Sequence, residues 1–140
     1  WGSPIQIGQN YTLYDWRIVY DDLNKVCLAI ARNAGYSSRL ECYQISATGS
    51  TRTPAWGGGV QVIDGGTSVE TPSLTIGKGT GKALCTYKVA SANAGKCCMV
   101  IGNSNPNADA SCSSSSTFET NNAHYSHSGW DPDTSQYLIA

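Results

Sequence analysis

The apolar positions of this chain fall into two rhythms. Leu23, Val26, Cys27 and Ile30 stand at i, i+3, i+4 and i+7, the spacing of one helix face. Asp21 and Asp22 precede them; Asp22 can cap the free N–H groups of the first turn, and both carboxylates suit the positive end of a helix dipole. Arg32 falls in the last turn, and Gly35 at the left-handed position beyond it. The spacing predicts a helix over about 22–33.

The second rhythm has a period of two. Tyr14, Trp16, Ile18 and Tyr20 alternate with Leu13, Asp15, Arg17 and Val19, which predicts a central strand leading into the helix. Leu40 with Cys42, and Tyr43 with Ile45, predict a strand packed beneath that helix. Val60 and Val62 place another strand before Asp64-Gly65-Gly66, a hairpin turn signal. Further strands are expected over 67–76, where Pro72 marks an edge or a break, over 83–89 and 97–101, and over 136–139. The run Gly77-Lys78-Gly79-Thr80-Gly81-Lys82 invites a phosphate-loop reading. Ile76 stands where that loop needs its first Gly, and Ala83 where it needs Ser or Thr, so a glycine-rich hairpin turn is expected instead. Residues 102–133 are rich in Ser, Asn, Asp and Pro and read as a long loop. The expected fold is α+β: a mainly antiparallel sheet or partly closed barrel with one helix packed on it, in a single domain over 1–140.

Composition acts mainly by exclusion. The formal net charge is −1 and 14% of residues are charged, so there is no basic excess to neutralise phosphates and no nucleic-acid partner is expected. No apolar run approaches the roughly 18 residues of a membrane span. The cysteines Cys27, Cys42, Cys85, Cys97, Cys98 and Cys112 are even in number and lack the paired spacing of a zinc site. They predict disulfides, no free thiol and an oxidising compartment. Cys27–Cys42 is expected to close across the helix–strand interface. Cys85 and Cys112 should divide Cys97 and Cys98 between them in an order left open, because adjacent strand residues point to opposite faces. Asn10-Tyr11-Thr12 is a glycosylation sequon, and a start at Trp1 reads as a processed, secreted form.

Candidate chemistry is sparse. His124 and His127 are the only histidines. No helix fixes their spacing, so they read as solvated, and neither metal nor cofactor is expected. Three Glu and seven Asp could include a glycosidase pair, but nothing in the sequence sets two of them across a cleft. A Cys nucleophile is disfavoured because disulfides should consume the thiols. Trp16 is assigned to core packing. Trp130, Tyr125 and His124 on the long polar segment are the expected binding residues, with Trp56 as a secondary one, because exposed aromatics on loops mark recognition surfaces.

The one-domain size, the processed start, the six cysteines with Cys97 and Cys98 adjacent, and the Gly/Ser/Asn-rich body resemble small secreted fungal effectors of the hypersensitive-response elicitor type. The resemblance is one of style over the whole chain and carries over no individual residue. It implies a secreted, non-enzymatic protein that binds a host receptor or a cell-wall glycan. The alternatives are a carbohydrate-binding module and a small secreted hydrolase. A monomer is expected.

Overall fold

Val26, Leu28 and Ile30 are buried on one face of the chain, and Ala29 and Ala31 are buried on the other. A segment hidden on both faces gains most from an extended backbone whose β-branched residues pack against neighbouring strands. In a computed structural model, Val26–Asn33 is accordingly strand β2, following β1 (Leu13–Asp21), and residues 22–25 are the turn between them. The structure describes residues 12–36, 39–48, 53–56, 61–64, 68–105, 108–121 and 123–140. The side chains of 46–48, 53–56 and 61–62 lie outside that description.

The expected helix over 22–33 is therefore corrected, and with it the α+β class. No helix of seven or more residues is present among the described residues, and the fold is a mostly antiparallel, sandwich-like arrangement of strands. The cap expected of Asp22 is made instead by Asp21 and serves a turn, while Asp22 Oδ1 accepts the Gly79 N–H at 2.9 Å. Asp21 Oδ1 accepts the Leu23 and Asn24 N–H groups at 3.0 and 3.2 Å, and Oδ2 accepts from Asn24 Nδ2 at 2.8 Å. Leu23, counted in the helical stripe, is exposed. Gly35 sits in a single 3-10 turn, Ala34–Tyr36, while among the described residues the glycines with left-handed backbones are Gly79 and Gly81.

The first sheet runs β1-β2-β3-β4, with β3 spanning Arg39–Thr48 and β4 Thr53–Trp56. β5 (Gln61–Asp64) pairs with the other end of β3. The second sheet runs β10-β8-β7-β6, with β6 Val69–Ile76, β7 Lys82–Val89, β8 Ala94–Ile101 and β10 Ser116–Glu119. β9 (Ser111–Cys112) also pairs with β8. β11 (Ser128–Asp131) and β12 (Gln136–Ile139) form a separate hairpin. The segment 102–133 thus contains more strand than its composition predicts. β1 lies at an edge rather than centrally, and the Asp64-Gly65-Gly66 signal falls between strands of different sheets; residues 65–67 are outside the described ones.

Between the sheets lies a core of Leu28, Ile30, Leu40, Val69, Tyr87 and Val100 with smaller neighbours. A second cluster, Ala29, Ala31 and Tyr43 with Trp16, Leu13 and Ile45, covers the outer face of the first sheet. Trp16 packs 5.4 Å from Tyr43, the core role its alternation predicts.

Cys42 bonds Cys112, joining β3 to β9 and so one sheet to the other. The expected Cys27–Cys42 pair fails on register. Ile30, not Cys27, stands opposite Cys42, and Cys27 opposite Ile45. Three positions along a strand place the two thiols on opposite faces. Cys27, Cys85, Cys97 and Cys98 carry free thiols, correcting the expectation that none would. Cys85 and Cys98 nevertheless face one another across β7 and β8. Burial is the main cause that pushes the Cys85 thiol well up, with Cys98 adding to it.

Candidate binding cleft

Two irregularities build the site. The pairing of β1 with β2 slips between Tyr14 and Arg17, where Asp15 adopts φ 55°. The pairing of β6 with β7 slips between Glu70 and Ser73, where Thr71 adopts φ 47°. A β-branched residue in the left-handed region is a true outlier and costs on the order of 1–3 kcal/mol. Such bulges re-aim side chains and gather beside functional sites. β1 and β6 are the edge strands that approach one another across the two sheets, so the two bulges face a common space.

That space is a cleft of about 410 Å³, within the usual range for small-molecule sites. Arg17 and Arg32 line it with Asp15 and Glu70, so its fixed charges balance. Both carboxylates already hold cations. Asp15 pairs with Arg32 at 2.6 Å, and Glu70 with Lys88 at 3.2 Å. Arg32 also reaches the Tyr14 hydroxyl at 3.1 Å and lies 4.4 Å from the centre of that ring. Arg17 donates to the Trp16 carbonyl at 2.8 Å.

Four buried side-chain polar atoms lack a hydrogen-bond partner among the described residues: Arg32 Nε, Thr71 Oγ1, Ser126 Oγ and Thr86 Oγ1. The first three belong to residues lining this cleft. Ser126 is only 5% exposed. Each such orphan costs about 1–3 kcal/mol relative to a satisfied group, and the three belong to residues of the cleft wall while the atoms themselves are shut off from solvent.

The remaining wall is the strap over 123–127. Its start is tied by the Ala123 N–H to the Asn93 carbonyl at 3.1 Å. Its end is tied by paired backbone bonds between His127 and Ala140, at 2.9 and 3.0 Å. Ser128 then locks onto β6: Thr75 Oγ1 donates to the Ser128 carbonyl at 2.7 Å, and the Ser128 N–H donates to Ser73 Oγ at 3.2 Å. Tyr125, held between these anchors, is 77% exposed. A rigid support beneath an exposed ring lowers the entropy lost on binding.

The structure places the expected site residues unequally. Tyr125 and His127 line the cleft, and His124 lies beyond Tyr125 in a second groove. Trp130 is elsewhere. It is half-buried, edge-on to Tyr137 at 4.8 Å, and closes over Gly77, which makes it a packing residue of the β11–β12 hairpin. Trp56 stands in β4 opposite Ile45, and its side chain lies outside the described residues, as does the sequon at Asn10. The sequence marks none of Arg17, Thr71 and Ser126 as site residues, and marks Arg32 only as a last-turn cation of the expected helix. The remaining trace is Arg17 on an otherwise well-alternating strand and a threonine before Pro72.

The fold and cleft define a disulfide-linked, sandwich-like β protein with a charge-balanced recess lined in part by an exposed tyrosine. Comparison with protein-family models, with curated proteins and with solved structures finds no match. No helix among the described residues is long and apolar enough to cross a membrane.

Proposed function

We propose that this chain is a secreted, non-enzymatic binding protein whose β1–β6 cleft recognises a neutral, hydroxyl-rich ligand, a cell-wall glycan. The observation that carries the reading is the 77% exposed Tyr125 ring beside a charge-balanced cleft lined by Arg17, Arg32, Thr71, Ser73 and Ser126. Sugar hydroxyls both donate and accept, which matches a lining of guanidinium and hydroxyl side chains. Balanced charge favours an uncharged ligand over a phosphate. Tyr125 offers the flat apolar face on which the C–H side of a sugar ring rests. Binding rather than hydrolysis is favoured because Asp15 and Glu70 are each engaged by a cation instead of standing as an unoccupied acid pair. The Cys42–Cys112 bond suits an oxidising, extracellular setting, as does the resemblance to secreted fungal effectors.

The test is retention of the folded protein on insoluble chitin and β-glucan, with soluble sugar released alongside. Retention without release is expected. Ser126→Ala with Thr71→Val should reduce retention about tenfold at an unchanged melting temperature, equivalent to about 1.4 kcal/mol. Failure of the parental protein to be retained on either polymer sinks the reading. Binding to a host-cell protein instead would move the site away from this cleft.

A further inference from the structure

Tyr125 lines two recesses. Beyond the first cleft it forms one wall of a second groove of about 310 Å³, together with Phe118, Glu119, His124 and Ile139. Phe118 lies against the backbone of Gly95, where an added Cβ would meet its ring atoms at 2.6 Å. With that side covered, the ring is still 40% exposed. Two exposed aromatic rings therefore line neighbouring recesses that share Tyr125, with polar groups beside each. Asn93, whose carbonyl holds the Ala123 end of the strap, also binds the Asn121 carbonyl through Nδ2 at 2.9 Å. Glu119 accepts the Thr120 and Asn121 N–H groups at 2.8 and 3.0 Å, which fixes the turn behind the groove.

We infer that the ligand is a linear oligosaccharide that crosses the Tyr125 ring, with one end in the β1–β6 cleft and the other in the Phe118 groove. This rests on the glycan reading above and adds its polymeric form and its direction of travel. A monosaccharide would fill one recess and leave the other empty. A chain fills both, because Tyr125 is the wall they share. Once one end is bound, the second subsite is entered at high effective concentration, so affinity rises with chain length until both are occupied.

Calorimetric titration with chitin and β-glucan oligomers, from the disaccharide to the hexasaccharide, tests this on the parental protein. Kd is expected to fall about tenfold or more along the better-bound series and then level off. Phe118→Ala should abolish that gain while leaving disaccharide affinity near parental. Tyr125→Ala should weaken short and long oligomers alike. If the hexasaccharide binds no more tightly than the disaccharide, or if folded Phe118→Ala keeps the full gain, the two-subsite inference is overturned while the glycan reading stands. If no oligomer binds at any length, both fall. The length series needs no variant, so a misfolded substitution does not block the decision.

Discussion

Gly77 closes the β6–β7 turn beneath the hairpin that carries the strap, and replacing it with Ala tests whether that docking is tight. A Cβ at Gly77 would stand 2.8 Å from Trp130 Cζ3, 2.8 Å from Tyr137 Oη and 3.0 Å from Thr80 Cγ2. Ordinary carbon contacts begin near 3.5 Å, so the rings must retreat by about 0.7 Å. Tyr137 has little room to do so. Its hydroxyl accepts the Gly77 N–H at 2.9 Å and donates to the Lys82 carbonyl. Overpacking costs about 1–3 kcal/mol, and weakening one of these hydrogen bonds adds about 1 kcal/mol. A loss of about 3 kcal/mol lowers the melting temperature by roughly 12 °C in a domain of this size. Gly79→Ala is the control in the same turn. Nothing lies within 4 Å of its Cβ, but its φ of +69° carries a conformational cost of about 1–2 kcal/mol. Thermal unfolding of both variants decides the point. The docking argument fails if Gly77→Ala is no more destabilising than Gly79→Ala. It also fails if Trp130→Leu leaves the cost of Gly77→Ala unchanged, since residues in contact should couple.

Replacing Cys112 by Ser removes a crosslink spanning 70 residues and should cost about 2–4 kcal/mol, read from the urea midpoint; a loss below about 1 kcal/mol would show that β9 is held without it. Buried Glu41 accepts from Asn33 Nδ2 at 3.0 Å, from the Tyr43 hydroxyl at 2.5 Å and from Arg39, so Glu41→Leu should destabilise by about 3–5 kcal/mol, and a near-neutral change would refute its central place in that network. The Thr134 hydroxyl and the Asp133 and Thr134 N–H groups hold the Asp131 carboxyl below its ordinary range. A depressed pKa means that its contribution is present above the unfolded value and lost as pH falls through the folded one. The Asp133 and Thr134 amide NMR shifts should therefore titrate with a midpoint below about pH 3.9, and one above that value would contradict the turn.

The local chemistry of this chain was legible even where the element was not. The sequence points to an aspartate cap at Asp22, whereas Asp21, one residue earlier, accepts the two successive N–H groups, and the turn they make does not extend into a helix. Val26, Cys27 and Ile30 fit the helical spacing because both faces of β2 carry apolar residues, which erases its alternation, and Leu23 completes the pattern from the exposed turn. Pro72 and the Gly79–Gly81 turn were read correctly, because a missing N–H and a left-handed backbone leave direct marks on residue choice. Cys42 found Cys112 rather than Cys27 because the partner was decided by sheet stacking, which joins residues distant in sequence.

The cleft was hidden for the same reason. Its parts come from β1, β2, β6 and the strap, and none of them is adjacent in sequence to the others except within its own strand. What the sequence did expose was Tyr125, an aromatic in a polar stretch too long to be explained by packing. Trp130, chosen by the same argument, closes over Gly77 instead. The two differ by a neighbour, not by composition. Among the described residues Tyr125 meets no glycine that could receive its ring, whereas Trp130 closes over Gly77, one of three positions in the β6–β7 turn without a side chain. The Phe118 ring shows the intermediate case, its edge against Gly95 and 40% of the residue exposed.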